Sequence, residues 1–224
     1  MDLHHISRSR STMPECRKDA GAEIRALVAS DLPAAADVLA QGMRDNSLHV
    51  QVFGLEPALR EGRLLRFLGP AVAYVHANGV VLGAYVGGEL AGVLGMTEPG
   101  RCRPPLKDAI QFARSIASSF PPVVILRIAR WLAAWRRNDP TEPHWHIGPL
   151  AVLPTYRRKG IGQHLMLKCC ERLDELSAIA YLETDTPENV FFYERLGFTV
   201  TGQEAVLGVP NWFMKRAPTR PKAG

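Results

Sequence analysis

The sequence predicts an α/β fold with a mixed, mostly antiparallel sheet flanked by helices, and three observations support this prediction. Strand-like and helical runs alternate through the last third of the chain, at residues 144–153, 160–176, 178–184 and 187–196. Earlier, the β-rich runs 79–86 and 89–96 flank Gly87-Gly88, which favours a hairpin turn. The segment of about 40 residues between this hairpin and residue 144 is helical in pattern, and it predicts an insertion before the next strand.

Length and composition predict one compact domain. The chain has 224 residues, of which 46% are hydrophobic, and this is enough for a sizeable core. We expect a flexible leader over residues 1–21, a domain over 22–216 with its helical insertion at about 100–140, and a flexible basic tail over 217–224. No apolar run reaches the roughly 20 residues that span a membrane, so we expect a cytoplasmic protein without a membrane partner.

The formal net charge of +5 is unevenly distributed along the chain. Much of the excess lies at the C-terminus, on Lys215, Arg216, Arg220 and Lys222, where we expect a solvated tail. Residues 101–137 carry eight Arg and Lys residues against one acid, a local field that favours an acidic ligand. The basic stretches lack interleaved aromatic residues and a known reader motif, so no nucleic-acid partner is expected.

In the first half of the chain, each element has its own signal. Residues 23–28 alternate like a strand, and Ser30-Asp31-Leu32-Pro33 predicts the start of a helix. A second helix is predicted over 56–68, before the hairpin. Two insertion helices are predicted over 106–118 and 122–137. Three alternative placements are open for them: packed on the sheet, lining an acceptor pocket, or lying on a membrane surface. The buried stripe of the second one is predicted to contain Val124, Ile128, Trp131 and Trp135.

The last third of the chain has the clearest element boundaries. The helix at 187–196 has Thr186 at its N-cap position, Pro187 at its first position and Gly197 where a left-handed residue ends a helix. Closing strands are predicted at about 199–206 and 212–215. The buried stripe of the helix at 160–176 is predicted to contain Ile161, Leu165, Cys169, Leu173 and Leu176.

A glycine-rich turn joins the strand at 144–153 to the helix at 160–176. It contains Arg157, Arg158, Lys159, Gly160, Ile161 and Gly162. The first turn of a helix has amides without internal partners, and glycine lets the backbone approach a bulky anion. The turn is neither a Walker loop nor a dinucleotide-binding fingerprint. We therefore expect the amides of 158–162, with the charged side chains of 157–159, to bind the diphosphate of a nucleotide cofactor.

Two motifs together resemble the GNAT N-acetyltransferase superfamily. The first is Arg-x-x-Gly-x-Gly at 157–162, and the second is Phe-Tyr-Glu-x-x-Gly-Phe at 192–198. The C-terminal half, 144–216, is similar to the puromycin N-acetyltransferase group within that superfamily. The resemblance implies the acyl-CoA N-acyltransferase fold, acetyl-CoA as co-substrate and transfer of an acetyl group to an amine.

The resemblance also implies roles for individual residues. The backbone of Leu150, Ala151 and Val152 would follow the pantetheine arm and polarise the thioester, after a local break in the ladder at Gly148-Pro149. Tyr193 matches the tyrosine that donates a proton to the departing thiolate. Asn189 lies one helical turn before Tyr193, whereas many family members place the cofactor-contacting asparagine two turns before it, where this chain has Thr186.

Several residues are alternatives for the general base. His146, on the same strand face as His144, has a side chain that titrates near neutrality, and Glu183 and Glu142 are rivals. A His-x-His pair also suggests a metal, but no third ligand is spaced to complete a site, so no metal is expected. The four cysteines have no metal-type or disulfide spacing and are expected to be reduced thiols.

We therefore expect an N-acetyltransferase, a monomer or homodimer, in which a primary amine of a small molecule attacks acetyl-CoA directly. A ternary complex without an acyl-enzyme is favoured because no cysteine lies in a motif beside the cofactor. The alternatives are a protein N-terminus or lysine as acceptor, and a domain that binds CoA as a sensor without turnover.

Overall fold

A computed structural model describes residues 21–219 of the chain. The expected leader, apart from Gly21, and residues 220–224 of the expected tail lie outside the described residues. In chain order the elements are β1 (Glu23–Ala26), α1 (Leu32–Met43), α2 (Ser47–Phe53), α3 (Pro57–Ala77), β2 (Gly79–Val86), β3 (Glu89–Thr97), α4 (Leu106–Ser119), α5 (Pro122–Asn138), β4 (Trp145–Val152), α6 (Ile161–Glu175), β5 (Ala180–Thr184), α7 (Pro187–Glu194), β6 (Thr199–Val206) and β7 (Val209–Arg216). Among the described residues, no helix combines the length and the apolar character needed to cross a bilayer.

The seven strands form one sheet in the order β1-β2-β3-β4-β5-β7-β6. The pairing of β4 with β5 is parallel, and the other five pairings are antiparallel. The mixed, mostly antiparallel sheet predicted from the sequence is therefore confirmed. Because parallel neighbours need a crossover, α6 connects β4 to β5 across one face of the sheet.

Two apolar cores lie on the two faces of this sheet. The first core joins α1, α2, α3 and the insertion helices to one face. The second core joins α6 and α7 to the other face. Strands in the middle of the sheet are buried on both sides, and β3 is buried along almost its whole length.

Most predicted elements of the first half are confirmed, and two are corrected. β1, α1 and the hairpin of β2 and β3 lie where the sequence predicts them, and Gly87 and Gly88 both have positive φ angles of 59° and 86°. The helix predicted over 56–68 continues to Ala77, through Gly69 and Pro70, because its later residues contribute to the first core. The helix α2 was not predicted; its seven residues are too few to show a clear period.

The helical insertion packs on the sheet, which is one of the three placements that the sequence allowed. Trp131 of α5 lies at its centre, with the rings of Phe67 and Phe53 at 5.2 and 6.4 Å. Trp135 donates from Nε1 to Oδ1 of Asn211 on β7 at 3.0 Å. The hydroxyl of Tyr181 on β5 donates to the carbonyl of Asn138 at the end of α5, also at 3.0 Å. These contacts attach the insertion to β5 and β7.

Two expectations about the C-terminal third are wrong. Leu176, predicted in the buried stripe of α6, is 49% exposed because α6 ends at Glu175. Lys215 and Arg216 belong to β7, as the closing strand predicted at about 212–215 and the domain end at 216 imply, so only their assignment to a solvated tail is wrong. Lys215 donates to Glu142 at 2.7 Å, and the buried Arg216 donates two hydrogen bonds to Asp174 at 2.8 and 2.7 Å.

Candidate active site

The strands β4 and β5 separate soon after they meet. They pair only at Trp145 with Ala180 and at His146 with Tyr181. Beyond that point, β4 stays paired with β3 on its other edge, as far as Val152. Among the described residues, the β5-facing edge of β4 therefore has no ladder partner from residue 147 onward. This leaves an open slot whose wall is unpaired backbone.

The predicted local break in β4 is confirmed. The register of β3 against β4 shifts between Leu94 and Met96, so that Gly95 lies opposite the two residues Gly148 and Pro149. The peptide bond between Gly148 and Pro149 is cis. A Cβ on Gly95 would collide with the carbonyl oxygen of Gly148, so this close approach requires glycine. The bulge turns the backbone of β4 at the slot.

Leu150, Ala151 and Val152 line the slot with backbone, because their side chains pack elsewhere. Ala151 is buried in the first core against Gly42 of α1, where an added Cβ would lie 2.7 Å from that of Ala151. Leu150 and Val152 pack on the second core. The main-chain groups on the β5-facing edge of this stretch are thus available to a ligand in the slot, and Leu150 and Val152 are only partly buried.

The glycine-rich turn follows the open end of this slot. Arg158 and Gly160 both have left-handed φ angles, 61° and 83°, which reverse the chain ahead of α6. The first backbone hydrogen bond of the helix runs from the amide of His164 to the carbonyl of Gly160 at 2.9 Å. In the described part of the chain, no side chain caps α6. The amides of residues 161–163 are therefore left for an external acceptor.

The charged side chains of the turn differ in what they contact. The guanidinium of Arg157 donates to the carbonyl of Gly42, so it ties the turn to α1. Lys159 places its ammonium 4.8 Å from the centre of the Tyr156 ring, and the side chain of Arg158 is exposed. The side chain of Ile161 is buried, so only its backbone amide is available to a ligand. Arg158 and Lys159 are thus better placed than Arg157 to contact an anion.

Tyr193 lies on α7, under the sheet and within the second core. Its ring is 7% exposed and packs on Phe192 and Phe198, with ring centres 5.1 and 5.8 Å away. Gly197, with φ 88°, lets the chain turn so that the amide of Phe198 bonds to the carbonyl of Tyr193 at 3.1 Å. Burial, and then the nearby Cys169, raise the pKa of Tyr193, so the phenol keeps its proton at neutral pH.

Asn189 and Thr186 lie where α7 begins, beside the end of β5. Nδ2 of Asn189 donates to Oγ1 of Thr184 at 3.4 Å, which is a long hydrogen bond. Thr186 occupies the predicted N-cap position, but its hydroxyl donates to Asp185 and does not cap the helix. Asn189 is half-buried and lies on the same helix face as Tyr193, one turn before it.

Two of the alternatives for the general base form one pair. Nε2 of His146 lies 2.9 Å from Oε2 of Glu183, whose side chain is 3% exposed. Burial disfavours the charged imidazole, but the Glu183 carboxylate, together with Cys102, outweighs this and raises the pKa of His146 well above its usual value. The pair lies where β4 and β5 part. Glu142, in contrast, is bonded to Lys215 and half-exposed.

A second group of side chains lies beside this pair, and we call it the β4 entry cluster. It consists of Cys102, Asp139, His144 and His146, and one ligand-type atom of each lies within 4.8 Å of the others. Burial opposes ionisation of Cys102, but hydrogen bonds to His144 and His146 lower its pKa to about 7. Sequence spacing offered no third ligand beside the two histidines. The fold brings two, from the two ends of the insertion.

The helix α2 and the insertion cover the carboxyl end of β5. The amide of Leu48 at the start of α2 donates to Oδ2 of Asp185 at 2.7 Å. His49 is buried, with Nδ1 2.8 Å from the carbonyl oxygen of Met43 and its ring 5.4 Å from that of Trp131. No sequence pattern indicated this cover, since Asp185 and Leu48 are far apart in the chain.

Comparison with known proteins identifies the family of this chain. The profile of the acetyltransferase (GNAT) family matches residues 69–198, which is more than half of the chain. The chain therefore belongs to the GNAT acetyltransferase family. The enzyme is an acetyltransferase of the kind that moves an acetyl group to an amine, and acetyl-CoA is its co-substrate.

Three solved structures have a similar fold. A histone acetyltransferase HPA2 and related acetyltransferase from Corynebacterium glutamicum is 19% identical, with a TM-score of 0.68 over 90% of this chain and 99% of that chain. A ribosomal-protein-S18-alanine N-acetyltransferase from Escherichia coli is 14% identical, with a TM-score of 0.54 over 91% and 97%. The PaiA N-acetyltransferase of Thermoplasma acidophilum, in complex with coenzyme A, is 16% identical, with a TM-score of 0.52 over 88% and 99%.

Proposed function

We propose that this chain transfers the acetyl group of acetyl-CoA to a primary amine of a small molecule, by direct attack in a ternary complex. The observation that carries the proposal is the parting of β4 from β5 next to the glycine-rich turn. A slot with unpaired backbone on one wall and uncapped helix amides at its end suits a long ligand with a diphosphate.

In this proposal the cofactor lies along β4. The diphosphate binds the amides at the start of α6, with Arg158 and Lys159 adding positive charge and Arg157 holding the turn in place. The pantetheine follows the backbone of residues 150–152, and a main-chain amide beside the bulge polarises the thioester carbonyl. Asn189 contacts the cofactor from the start of α7.

Glu183 is our candidate for the group that accepts the proton of the acceptor amine. Its carboxylate lies where the two strands part, and His146 holds it there at 2.9 Å. The nitrogen then attacks the thioester carbon, a C–N bond forms and the C–S bond breaks, and the second proton that the nitrogen loses replaces the one that Tyr193 gives up. Tyr193 gives its proton to the departing thiolate, and it is available for this because it is protonated at neutral pH.

A small acceptor is favoured over a protein acceptor by the cover on the site. The helix α2 is bonded to Asp185 at the end of β5, and α5 packs against both α2 and β6. A protein substrate needs an open groove for its chain on both sides of the reacting amine. We also propose a cytoplasmic location, because the three described cysteines are free thiols and acetyl-CoA is an intracellular metabolite.

The test is a measurement of thiol release from acetyl-CoA by the purified protein. The acceptor panel contains aminoglycosides, aminonucleosides, polyamines, aryl-alkylamines and peptides. We expect turnover with one class of small amine and intersecting double-reciprocal plots, as direct attack requires. Turnover with peptides alone would overturn the small-molecule proposal. A flat panel with thermal stabilisation by CoA would identify a sensor in place of an enzyme.

A further inference from the structure

The β4 entry cluster has the composition of a transition-metal site. It joins one thiol, two imidazoles and one carboxylate, from Cys102, His144, His146 and Asp139. We propose that these four side chains bind a Zn²⁺ ion. The inference shares His146 with the proposed acetyl-transfer mechanism, in which Nε2 of that ring holds Glu183, but its readouts are separate from acetyl transfer.

The distances within the cluster are close to those that an ion requires. Sγ of Cys102 lies 3.6 Å from Nε2 of His144, and the same nitrogen lies 3.2 Å from Oδ1 of Asp139. Tetrahedral zinc with bonds of about 2.0–2.3 Å needs ligand atoms about 3.3–3.6 Å apart. All four ligand atoms lie within 4.8 Å of one another. The most distant ligand atom therefore has to move toward the others by about 1 Å when the ion binds.

Asp139 directs a buried oxygen into the cluster. Its Oδ1 lies 3.2 Å from Nε2 of His144 and forms an ion pair with the protonated imidazole, although no well-aligned hydrogen bond joins the two atoms. A metal cation between these two atoms would take the place of the His144 proton and remain paired with the buried carboxylate. The other oxygen, Oδ2, accepts from Nε of Arg103 at 3.1 Å, which leaves Oδ1 to face the cluster.

Both histidines have the outer partners that are usual for metal-bound imidazoles. Nδ1 of His144 lies 2.8 Å from the carbonyl oxygen of Glu142, so Nε2 is the nitrogen that would bind an ion, by giving up its proton. The carboxylate of Glu183 lies against the ring of His146. Such contacts set the tautomer and the orientation of each ring before the ion binds.

The ligand chemistry favours zinc over other common ions. Thiolate and imidazole ligands exclude magnesium and calcium, which take oxygen ligands. Four protein ligands of mixed sulfur, nitrogen and oxygen type match a closed tetrahedral zinc site. A closed site has no open position for a substrate, so the role that follows is structural.

The location of the site shows what the ion would hold together. Cys102 lies just before α4 and Asp139 just after α5, so the two ends of the helical insertion meet there. Both lie beside His144, which directly precedes β4, and beside His146, which pairs with Tyr181 at the start of that strand. The ion would close the base of the insertion on the central strand.

The first test is metal content and ligand type. Protein purified from zinc-supplemented medium should contain one zinc per chain by mass spectrometry, and Cys102→Ser should lose it. Replacement of zinc by Co²⁺ should give the intense visible bands of a tetrahedral site and a thiolate-to-cobalt charge-transfer band. Cys102→Ser should remove the charge-transfer band, whereas Cys170→Ala, a buried cysteine of α6, should retain it.

The second test concerns the role of the ion and uses hydrogen exchange. Removal of zinc with a chelator should increase exchange at both ends of the insertion, near residues 100–105 and 138–144, and leave α6 and α7 unchanged. Asp139→Asn should weaken zinc binding at least tenfold. The proposal is overturned by protein without zinc that also fails to bind added Zn²⁺, or by a cobalt spectrum that Cys102→Ser leaves intact. These readouts do not depend on whether the amine panel shows turnover.

Discussion

The two ends of β4 are built in different ways. The end that leads into the glycine-rich turn uses consecutive residues, and its binding groups are backbone amides of the stretch from 150 to 162. The beginning of the strand is surrounded by side chains of Cys102, Asp139, His144, His146 and Glu183, which come from four separate segments. A binding site made of local backbone can be recognised from a motif, whereas one made of converging side chains depends on the fold.

The largest expected effect tests the beginning of β4. Glu183→Gln removes the proposed proton acceptor, and we expect kcat to fall about 1000-fold while the affinity for acetyl-CoA changes little. Steady-state kinetics and calorimetry measure the two quantities. The matched control is Glu142→Gln, which changes an exposed carboxylate bonded to Lys215 and should preserve kcat. A kcat for Glu183→Gln within threefold of the native value would show that this end of β4 is not used in proton transfer.

The second effect tests the thiolate donor. Tyr193→Phe keeps the packed ring and removes the hydroxyl, so we expect kcat to fall about 100-fold with little change in folding. Tyr156→Phe is the control, because its hydroxyl bonds to Glu89 at 2.7 Å outside the slot. Equal rates for the two variants would mean that the thiolate leaves without help from α7.

The third prediction concerns the ion pair of Asp174 and Arg216, which lies away from both ends of β4 and serves as a reference. Burial alone would raise the pKa of Asp174, but Arg216 and Thr219 lower it to about 2. The folded pKa is then below the unfolded value of about 3.9, so the pair adds stability above that pH and loses it as the pH falls toward 2. Asp174→Asn should lower the free energy of unfolding by about 2.5 kcal/mol at pH 7.

Urea unfolding between pH 7 and pH 2 measures this difference. The difference in the free energy of unfolding between native and variant protein should be constant above about pH 5 and decrease below about pH 4. Acetyl-CoA affinity and zinc content should stay unchanged in the folded variant. A gap that does not depend on pH would show that the carboxylate charge of Asp174 contributes nothing.

The fourth prediction tests whether the diphosphate binds beside Gly162, a position where the fold leaves room for a side chain. A Cβ at Gly162 meets nothing closer than Val152 at 3.7 Å, so Gly162→Ala should fold and have at least native stability. The added methyl lies beside the diphosphate seat, and we expect acetyl-CoA to bind about 10-fold more weakly. Gly62→Ala, on a helix with nothing near its Cβ, is the control and should bind normally. Native affinity in Gly162→Ala would place the diphosphate elsewhere.

The smallest expected effect distinguishes neighbouring arginines. Arg158→Ala should weaken acetyl-CoA binding about fivefold at low salt and less at high salt, because the side chain is exposed. Arg157→Ala should instead lower stability by about 1–2 kcal/mol, because its bond to Gly42 is lost. Titration calorimetry at two ionic strengths and thermal unfolding give the comparison. The reverse pattern would show that Arg157, and not Arg158, contacts the diphosphate.

Sequence patterns predicted the hairpin, α1, α6, α7 and the break at Gly148-Pro149, because each depends on residues close together in the chain. They also indicated Tyr193 and the glycine-rich turn. They did not predict α2, which is short, or the length of α3, which continues through Gly69 and Pro70 because tertiary packing outweighs local propensity. His146 and Glu183 were predicted as rivals, and the sequence could not show that they are a pair.

What the sequence by itself determined is the family, the cofactor and the order of most elements. Those properties depend on local periodicity, on turn residues and on two motifs whose binding groups are mostly main-chain atoms. What only the tertiary structure decided is the set of side chains around the beginning of β4 and the cover over the end of β5. The helical insertion brings Cys102 to Asp139 across about 37 residues, and such long-range contacts depend on how helices pack on the sheet, a property that no local pattern records.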